Sequence, residues 1–579
     1  MSHPDEPAAE PPQDPRSNRG SRPLRGVRWY IRPPSRWQVA VRAASAIGVP
    51  VIVMTLLGNQ PYGLLMGTGA FTVLYGAGRA RRTRLRLLSA VAASLVACCA
   101  LGAAFSGWPL LGLLLIVVVA MVATVACHAL RVGPPGAFFF VLLAGLGGYL
   151  PHHGVAPATL VSATAIGAAF AVVVAMADVI VRPRGPQEDA VARARAAVAR
   201  FRGADPTGAD AEGLSEAATE ALHDGWAALA DGGDGASLHP RSVALVTELR
   251  AVQRDYSGHL LPGDRSDPEL AAESTEAPLG RPSARRMLRH ALRWPSNALQ
   301  AAVRVGVGVT IAGAVAWLID VDHAYWAMAA TMLVLHTGLD RKRTAVRSAH
   351  RLVGTVIGLG GFLAVHALTG ASEWLIVPVV IALQGLVELF VVRNYAVAVV
   401  FITPLALTVG TAGTRLAVTS IATERLVDTV IGVLIGAAVP WFVGRRGAPP
   451  LLRACLGRVL AAGAVVVDHL GAGSQAARQG RDARQDLGLA MQEMSAAARR
   501  AMQDDPRDVA PLLDLREATA WLGLTVLARS ATQTGVASGV EGAAWACRLM
   551  ARQLHEGRVP PADSVRLTRA AIGDRPRLS

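Results

Sequence analysis

Twelve stretches of this chain are apolar over the length of a membrane crossing, and the connections between them alternate between arginine-rich and nearly arginine-free. They fall at about 39–57, 62–77, 87–106, 110–127, 135–151, 158–181, 298–319, 323–339, 352–369, 373–392, 395–412 and 426–443. Most run about 17 to 24 residues, enough for roughly 30 Å of hydrocarbon at 1.5 Å per residue; the second and eighth are the shortest. A mean hydropathy of +0.37 with 52% hydrophobic residues lies above what a soluble chain needs. Only 5% of residues are aromatic, and Ala, Val, Leu and Gly carry the apolar load, which suits close-packed helices better than a β-barrel. The predicted fold class is an all-α membrane protein of about twelve transmembrane helices.

Basic residues set the expected orientation, because cytoplasmic connections collect Arg and Lys. Arg79, Arg81, Arg82, Arg84 and Arg86 follow the second segment, Arg131 the fourth, Arg182 and Arg184 the sixth, Arg341 to Arg347 the eighth, Arg393 the tenth, and Arg445 and Arg446 the twelfth. The opposite connections, "GNQPYG", "SGW", "LPHHGVAPA", "DVDH" and "TGASE", hold neither Arg nor Lys; Arg415 alone breaks the pattern. Every even-numbered exit is therefore expected in the cytoplasm, with both termini there and the chain multi-pass in the cell membrane. Residues 1–36 are rich in Pro and Arg, lack the apolar core of a cleavable signal peptide, and read as a disordered basic cytoplasmic tail.

The net charge of +15 sits in loops beside spans, where anionic lipid attracts it, so the lipid bilayer is the expected partner and nucleic acid is not. The five cysteines, Cys98, Cys99, Cys127, Cys455 and Cys547, have no metal-ligand spacing and read as free thiols. No cofactor or metal is expected.

Laying one apolar block over the other at an offset of about 261 or 262 residues reveals an internal repeat. "RPPSRWQVAVR" (32–42) faces "RWPSNALQAAVR" (293–304), and "RRTRLR" (81–86) faces "KRTAVR" (342–347). Six spans per half, an even number, imply two parallel six-helix repeats. The expected domains are a first membrane block over 37–181, a helical cytoplasmic region over 182–297, a second membrane block over 298–443 and a helical cytoplasmic region over 444–579. The stretch 450–468 is apolar enough to imitate a span, but Arg453 and Arg458 lie within it, and it is read as an amphipathic cytoplasmic helix.

"YWAMAATMLVL", a basic loop, "RLVGTVIG", then "RNYAVAVVFITPLAL" and "RLVDTVIG" together resemble the fusaric acid resistance protein-like (FUSC) family, an integral membrane transporter domain related to aromatic acid exporters. The likeness covers the second block clearly and the first weakly. It implies proton-coupled efflux of aromatic or other organic acids across the plasma membrane, with a small organic anion and protons as partners.

Charges inside apolar runs are the candidate site, since each costs about 2.5–3.5 kcal/mol at a span centre on insertion scales. Arg42, Arg304 and Arg351 lie within about two turns of the inner boundary, where an arginine either snorkels or captures a carboxylate. Arg425 and Asp428, at i and i+3, form either a structural ion pair or a substrate-holding and proton-coupling pair. Glu388 is a second proton-coupling candidate, open to a solvated-pair reading with Arg393. Tyr325 and Trp326 read as interfacial anchors, and the resemblance adds stacking on an aromatic substrate. Gly354 and Gly358, with Gly432 and Gly436, mark helix-packing faces, and Thr403 and Pro404 mark a hinge or packing kink. Asp322 and His323 read as loop residues or an exit relay. Positions matching Arg351, Arg425 and Asp428 in the first half are about Ala90, Leu160 and Ala163, so the chemistry is expected in the second block.

An enzyme is not expected: GxxxxGK[ST], HExxH and GxSxG are absent, and the chain's sole lysine, Lys342, is flanked by arginines. An anion channel of related six-span architecture and a membrane scaffold with partner-binding cytoplasmic helices remain open beside the transporter, as does a homo-oligomer.

Overall fold

The computed structural model describes residues 37–204, 211–231, 240–260, 282–319, 324–336, 340–370, 373–411, 418–444, 447–532 and 540–573. The tail 1–36 and Asp322, His323, Arg415, Arg445 and Arg446 lie outside the described residues. Among the described residues the elements are helices, with no strand.

Each of the twelve apolar segments is a helix. The first block holds α1 (Trp37–Leu56), α2 (Gln60–Ala70, extended by the turn Phe71–Leu74), α3 (Arg81–Ala104), α4 (Pro109–Ala129), α5 (Phe138–Tyr149, extended by Leu150–His153) and α6 (Pro157–Val181). Between the blocks lie α7 (Gly185–Arg202), α8 (Ala211–Asp231), α9 (Pro240–Leu260) and α10 (Ala284–Ala291). The second block holds α11 (Asn297–Leu318), α12 (Ala324–Leu335), α13 (Arg341–Thr369), α14 (Ile376–Phe390), α15 (Tyr395–Gly410) and α16 (Val418–Phe442). Then follow α17 (Ala448–Gly471), α18 (Arg478–Asp504), α19 (Pro506–Thr532), α20 (Glu541–His555) and α21 (Ala562–Gly573).

Of the twelve segments, α1, α3, α4, α6, α11, α13 and α16 are long and apolar enough to cross a membrane. The other five are shorter than the sequence predicts: α2 has 11 residues, α5 and α12 have 12, α14 has 15 and α15 has 16. Twelve helical residues cover only about 18 Å. The second and fifth members of each block are among these short helices, and α2, α5 and α12 bury nearly every residue. Wrapped by neighbours rather than lipid, they do not need a full-length apolar cylinder of their own. Local chemistry sets several starts: Asp340 caps α13 by accepting from Arg343 N at 2.8 Å, Asn394 caps α15 through Ala396 N at 3.0 Å, and Ser296 caps α11 through Leu299 N at 3.1 Å.

The same pairings recur in both blocks. α1 packs on α2, α2 on α6, α3 on α5 and α6, and α4 on α5; likewise α11 on α12, α12 on α16, α13 on α15 and α16, and α14 on α15. The contacts between blocks match as well, α1 against α14 and α4 against α11, with α5 against α12 and α2 against α15. Glycines make these approaches close. A Cβ on Gly48 would stand 2.5 Å from Ile381, and one on Gly306 would stand 2.7 Å from the sulfur of Met121. Ile381 and Met121 are displaced by 260 residues, as are the starts of α13 and α3. Gly354 and Gly358 seat α13 against Ala396 O, Val399 and Thr403 of α15, while Gly432 and Gly436 seat α16 against Ala327 O and Val334 of α12.

A second core joins the two soluble-type regions. Val191, Phe201, Leu222 and Leu249 from α7–α9 pack in one cluster with Leu452, Leu456, Leu487, Leu515 and Met550 from α17–α20. Sequence separates 182–297 from 444–579; space does not. α17 is apolar and long enough to cross a membrane, and its Leu452, Cys455, Val459 and Leu460 are buried in this core.

Gly167 tests the glycine seams. A Cβ there would lie 1.9 Å from Met66 O, a backbone atom that cannot rotate away, whereas one on Gly360 of α13 would meet nothing within 4 Å. Gly167→Ala should destabilise the detergent-solubilised protein by about 1–3 kcal/mol in thermal unfolding, and Gly360→Ala should be neutral or stabilising by up to about 1 kcal/mol.

A buried charge cluster as candidate functional site

Three helices of the second block carry polar groups into its apolar interior. α13 presents Ser348, Arg351 and Thr355, spaced for one helical face; α16 presents Arg425, Asp428 and Thr429; α12 presents Tyr325 and Trp326. Arg351 is 1% exposed, Arg425 2% and Asp428 0%. The Arg425 guanidinium lies over the Trp326 ring at 3.5 Å from its centroid, and Arg351 and Asp428 are the charged groups that face it. A desolvated cation–π contact of this kind is worth about 2 kcal/mol or more.

Sequence alone leaves open whether Arg425 and Asp428 form an ion pair, and among the described residues they do not. Nε and Nη1 of Arg351, Nε and Nη1 of Arg425, both Asp428 oxygens and the hydroxyls of Ser348, Thr355 and Thr429 have no hydrogen-bond partner. Buried polar groups are ordinarily satisfied, so this concentration makes the cluster the candidate site. Glu424, the neighbouring carboxylate, is only half-buried and accepts from the Ser420 hydroxyl at 2.6 Å. The fully buried set therefore holds two cations and one anion.

Other predicted residues lie elsewhere. Arg304 is 5% exposed on α11, but its Nε donates to Val443 O at 3.1 Å at the junction with the helical domain, away from the cluster. Glu388 is buried on α14, where Gln384 Nε2 donates to its Oε1 at 3.4 Å, and that helix packs against α1, which carries Arg42. The glycines are packing seams. Thr403 Oγ1 donates to Val399 O at 2.9 Å, and Pro404, lacking an N–H, leaves Val400 O without its usual donor where Gly358 approaches.

Some participants are not apparent from the sequence. Tyr149, at the end of α5 in the first block, lies 5.2 Å from Tyr325 by ring centroids and lines a narrow cleft with Trp326, Gly410 and Arg425. The first block thus supplies part of the wall. Arg347 reads as a loop signal, yet it lies over Tyr395 at 4.3 Å and donates to Leu333 O at 3.2 Å. Counted from the starts of the equally long α6 and α16, Thr164 and Gly167 stand where Arg425 and Asp428 do, so the first block is uncharged there, as expected, but at shifted positions. Thr164 instead shares a hydrogen bond with Thr68 at 2.8 Å.

The basic run after α12 clamps the second block to the helical domain. Arg341 N donates to Asp504 Oδ1 at 2.8 Å, Arg341 Nη1 pairs with Asp505 at 3.2 Å, and Arg341 Nε donates to Pro440 O at 3.3 Å. Burial pushes the Arg500 guanidinium below its usual pKa, and the carboxylate of Asp504 at 3.8 Å opposes that shift.

Trp326→Leu removes the ring beneath Arg425, whereas Trp317→Leu alters a ring 55% exposed at the end of α11. Thermal unfolding in detergent should show the first destabilised by about 2 kcal/mol more than the second; equal effects would mean that the contact contributes nothing.

Residues 311–439 match the family model described as fusaric acid resistance protein-like. Over 469 residues the chain is 26% identical to "Uncharacterized membrane protein YvaC" of Bacillus subtilis (strain 168), spanning 70% of this chain and 73% of the relative. No solved structure matches. The family match encloses Trp326, Arg351, Arg425 and Asp428, so the second block is similar to fusaric acid resistance protein-like domains, and the chain, with its several long apolar helices, is a multi-pass membrane protein.

Proposed function

We propose that this protein is a secondary transporter of small organic anions in the cytoplasmic membrane, built as two parallel six-helix repeats with both termini inside. The observation that carries the reading is the buried excess of positive charge, two guanidiniums against one carboxylate with donor atoms unfilled. A carboxylate guest would bring that set to neutrality and accept the free N–H groups, which a planar fork of donors suits. Trp326, Tyr325 and Tyr149 line a narrow cleft beside it, which must open to admit an aromatic or other flat body. The outward direction rests on the likeness to fusaric acid resistance proteins.

Asp428 is the proton-coupling group in this reading. Its ionised form offsets one guanidinium; its protonated form leaves both for the guest. Protonation therefore strengthens anion binding, and affinity rises as pH falls. Glu388, placed apart from the cluster, is a secondary candidate, and Arg304 serves as a clamp.

Counterflow of a labelled aromatic carboxylate in proteoliposomes tests this between about pH 6 and 8, where the dissolved substrate stays ionised. Arg351→Ala and Arg425→Ala should each weaken uptake by about thirtyfold or more, as expected for leaving a buried charge-assisted contact unmade. Asp428→Asn should keep exchange and lose its pH dependence. Full exchange in both arginine variants at normal protein levels sinks the site, and gradient dissipation without acceleration by substrate on the far side indicates a channel instead.

A further inference from the structure

A cavity of about 510 Å³ lies away from the Arg351 and Arg425 cluster, where the end of α4 meets the helical domain. That volume falls in the range of about 300–1,000 Å³ typical of small-molecule sites. Trp226 of α8, Tyr256 of α9, Met491 of α18 and Leu524 of α19 give it aromatic and aliphatic walls, all nine-tenths or more buried. Arg131, Arg484 and Arg499 line it together with Glu216, Glu220 and Glu493.

Two of the three carboxylates are already engaged. Glu216 accepts from Arg516 at 2.8 Å and Ser495 at 2.7 Å, and Glu493 faces Arg458 at 3.3 Å and His290 at 3.1 Å. Arg516 and Arg458 stand behind the lining, so five arginines surround this space against three glutamates. The local field is positive and the walls are apolar, a combination that favours a flat organic body bearing negative charge. We propose that this chamber is a second ligand site, taking an amphipathic organic anion with an aromatic or similarly flat apolar body.

Its position gives the occupant access to the membrane block. His128, at the end of α4, lines the chamber and its Nε2 lies 2.7 Å from the carbonyl oxygen of His336, the residue following α12. α12 carries Trp326. A ligand in the chamber therefore lies one hydrogen-bonded contact, His128 to His336, from the end of the helix that carries Trp326. The site does not depend on the transport reading.

Gly488 provides the test, because it lines the chamber and a Cβ there would meet nothing within 4 Å. Gly488→Phe fills the space from a helix that tolerates a side chain at that point. Calorimetric titration of the purified full-length protein with 1-naphthoate should show binding in the wild type and in Arg425→Ala, which removes the membrane site. Binding should fall at least about tenfold in Gly488→Phe. Arg499, whose side chain is 62% exposed and faces Glu216 at 3.7 Å, can be reversed outside the core, and Arg499→Glu should weaken 1-naphthoate by about fivefold to tenfold. It also carries the test should Gly488→Phe unfold. 1-Naphthylmethylammonium should bind at least about tenfold more weakly than the acid. Naphthoate affinity in Arg425→Ala that is absent or unmoved by these substitutions, or equal binding of the cation, overturns the assignment.

Discussion

Two guanidiniums buried without enough negative charge impose the demand that the rest of the second block answers. Arg351 and Arg425 are shielded from solvent and lipid, face each other's charge, and share one carboxylate that pairs with neither. Packing alone gives no reason to hold such a set; a core of the same shape built from apolar residues would be easier to stabilise. The cost is tolerable because the Trp326 ring faces Arg425 and because α12, α13 and α16 pack closely enough to hold the groups still. Gly432 and Gly436 bring α16 onto α12, and Gly354 and Gly358 bring α15 onto α13, so the seams and the charges are parts of one arrangement.

The two blocks share a packing plan and differ in chemistry. α2 meets α6 in the first block as α12 meets α16 in the second, yet the first places a hydrogen-bonded Thr68 and Thr164 where the second concentrates charge. A half without charge at these positions can bear against a charged half as a fixed wall, and Tyr149 brings that wall to the edge of the cleft. The helical domain adds a third body, gripped through Arg341 to Asp504 and Asp505, with the larger chamber beside the grip. Movement of one block against the other would load both junctions.

Much of this was legible in the sequence because lipid punishes misplaced polarity. Apolar runs bounded by arginines mark where helices form, and Arg351, Arg425 and Asp428 stand out as charges inside such runs. Arg453 and Arg458 set α17 apart from the twelve segments in the sequence, and Arg458 reaches Pro295 O at 3.0 Å and Glu493 at 3.3 Å. What sequence could not supply was partnership over long separations. Arg304 reads in the sequence as a snorkelling residue or a substrate ligand, and its contact with Val443 O lies 139 residues away. Tyr149 carries no charge to betray it, and amphipathic faces in 182–297 and 444–579 announce burial without naming their common core. Helix length was the other blind spot: hydropathy runs smoothly through turns that end α2, α5 and α12 early.

Anomalous diffraction from crystals of the protein soaked with 4-bromobenzoate would locate an anion without assuming any transport cycle. The account predicts a bromine peak beside Trp326 and Tyr325, with the carboxylate bridging Arg351 and Arg425. A cluster occupied only by water, or Arg425 closed onto Asp428 with the bromine nowhere near it, would contradict it.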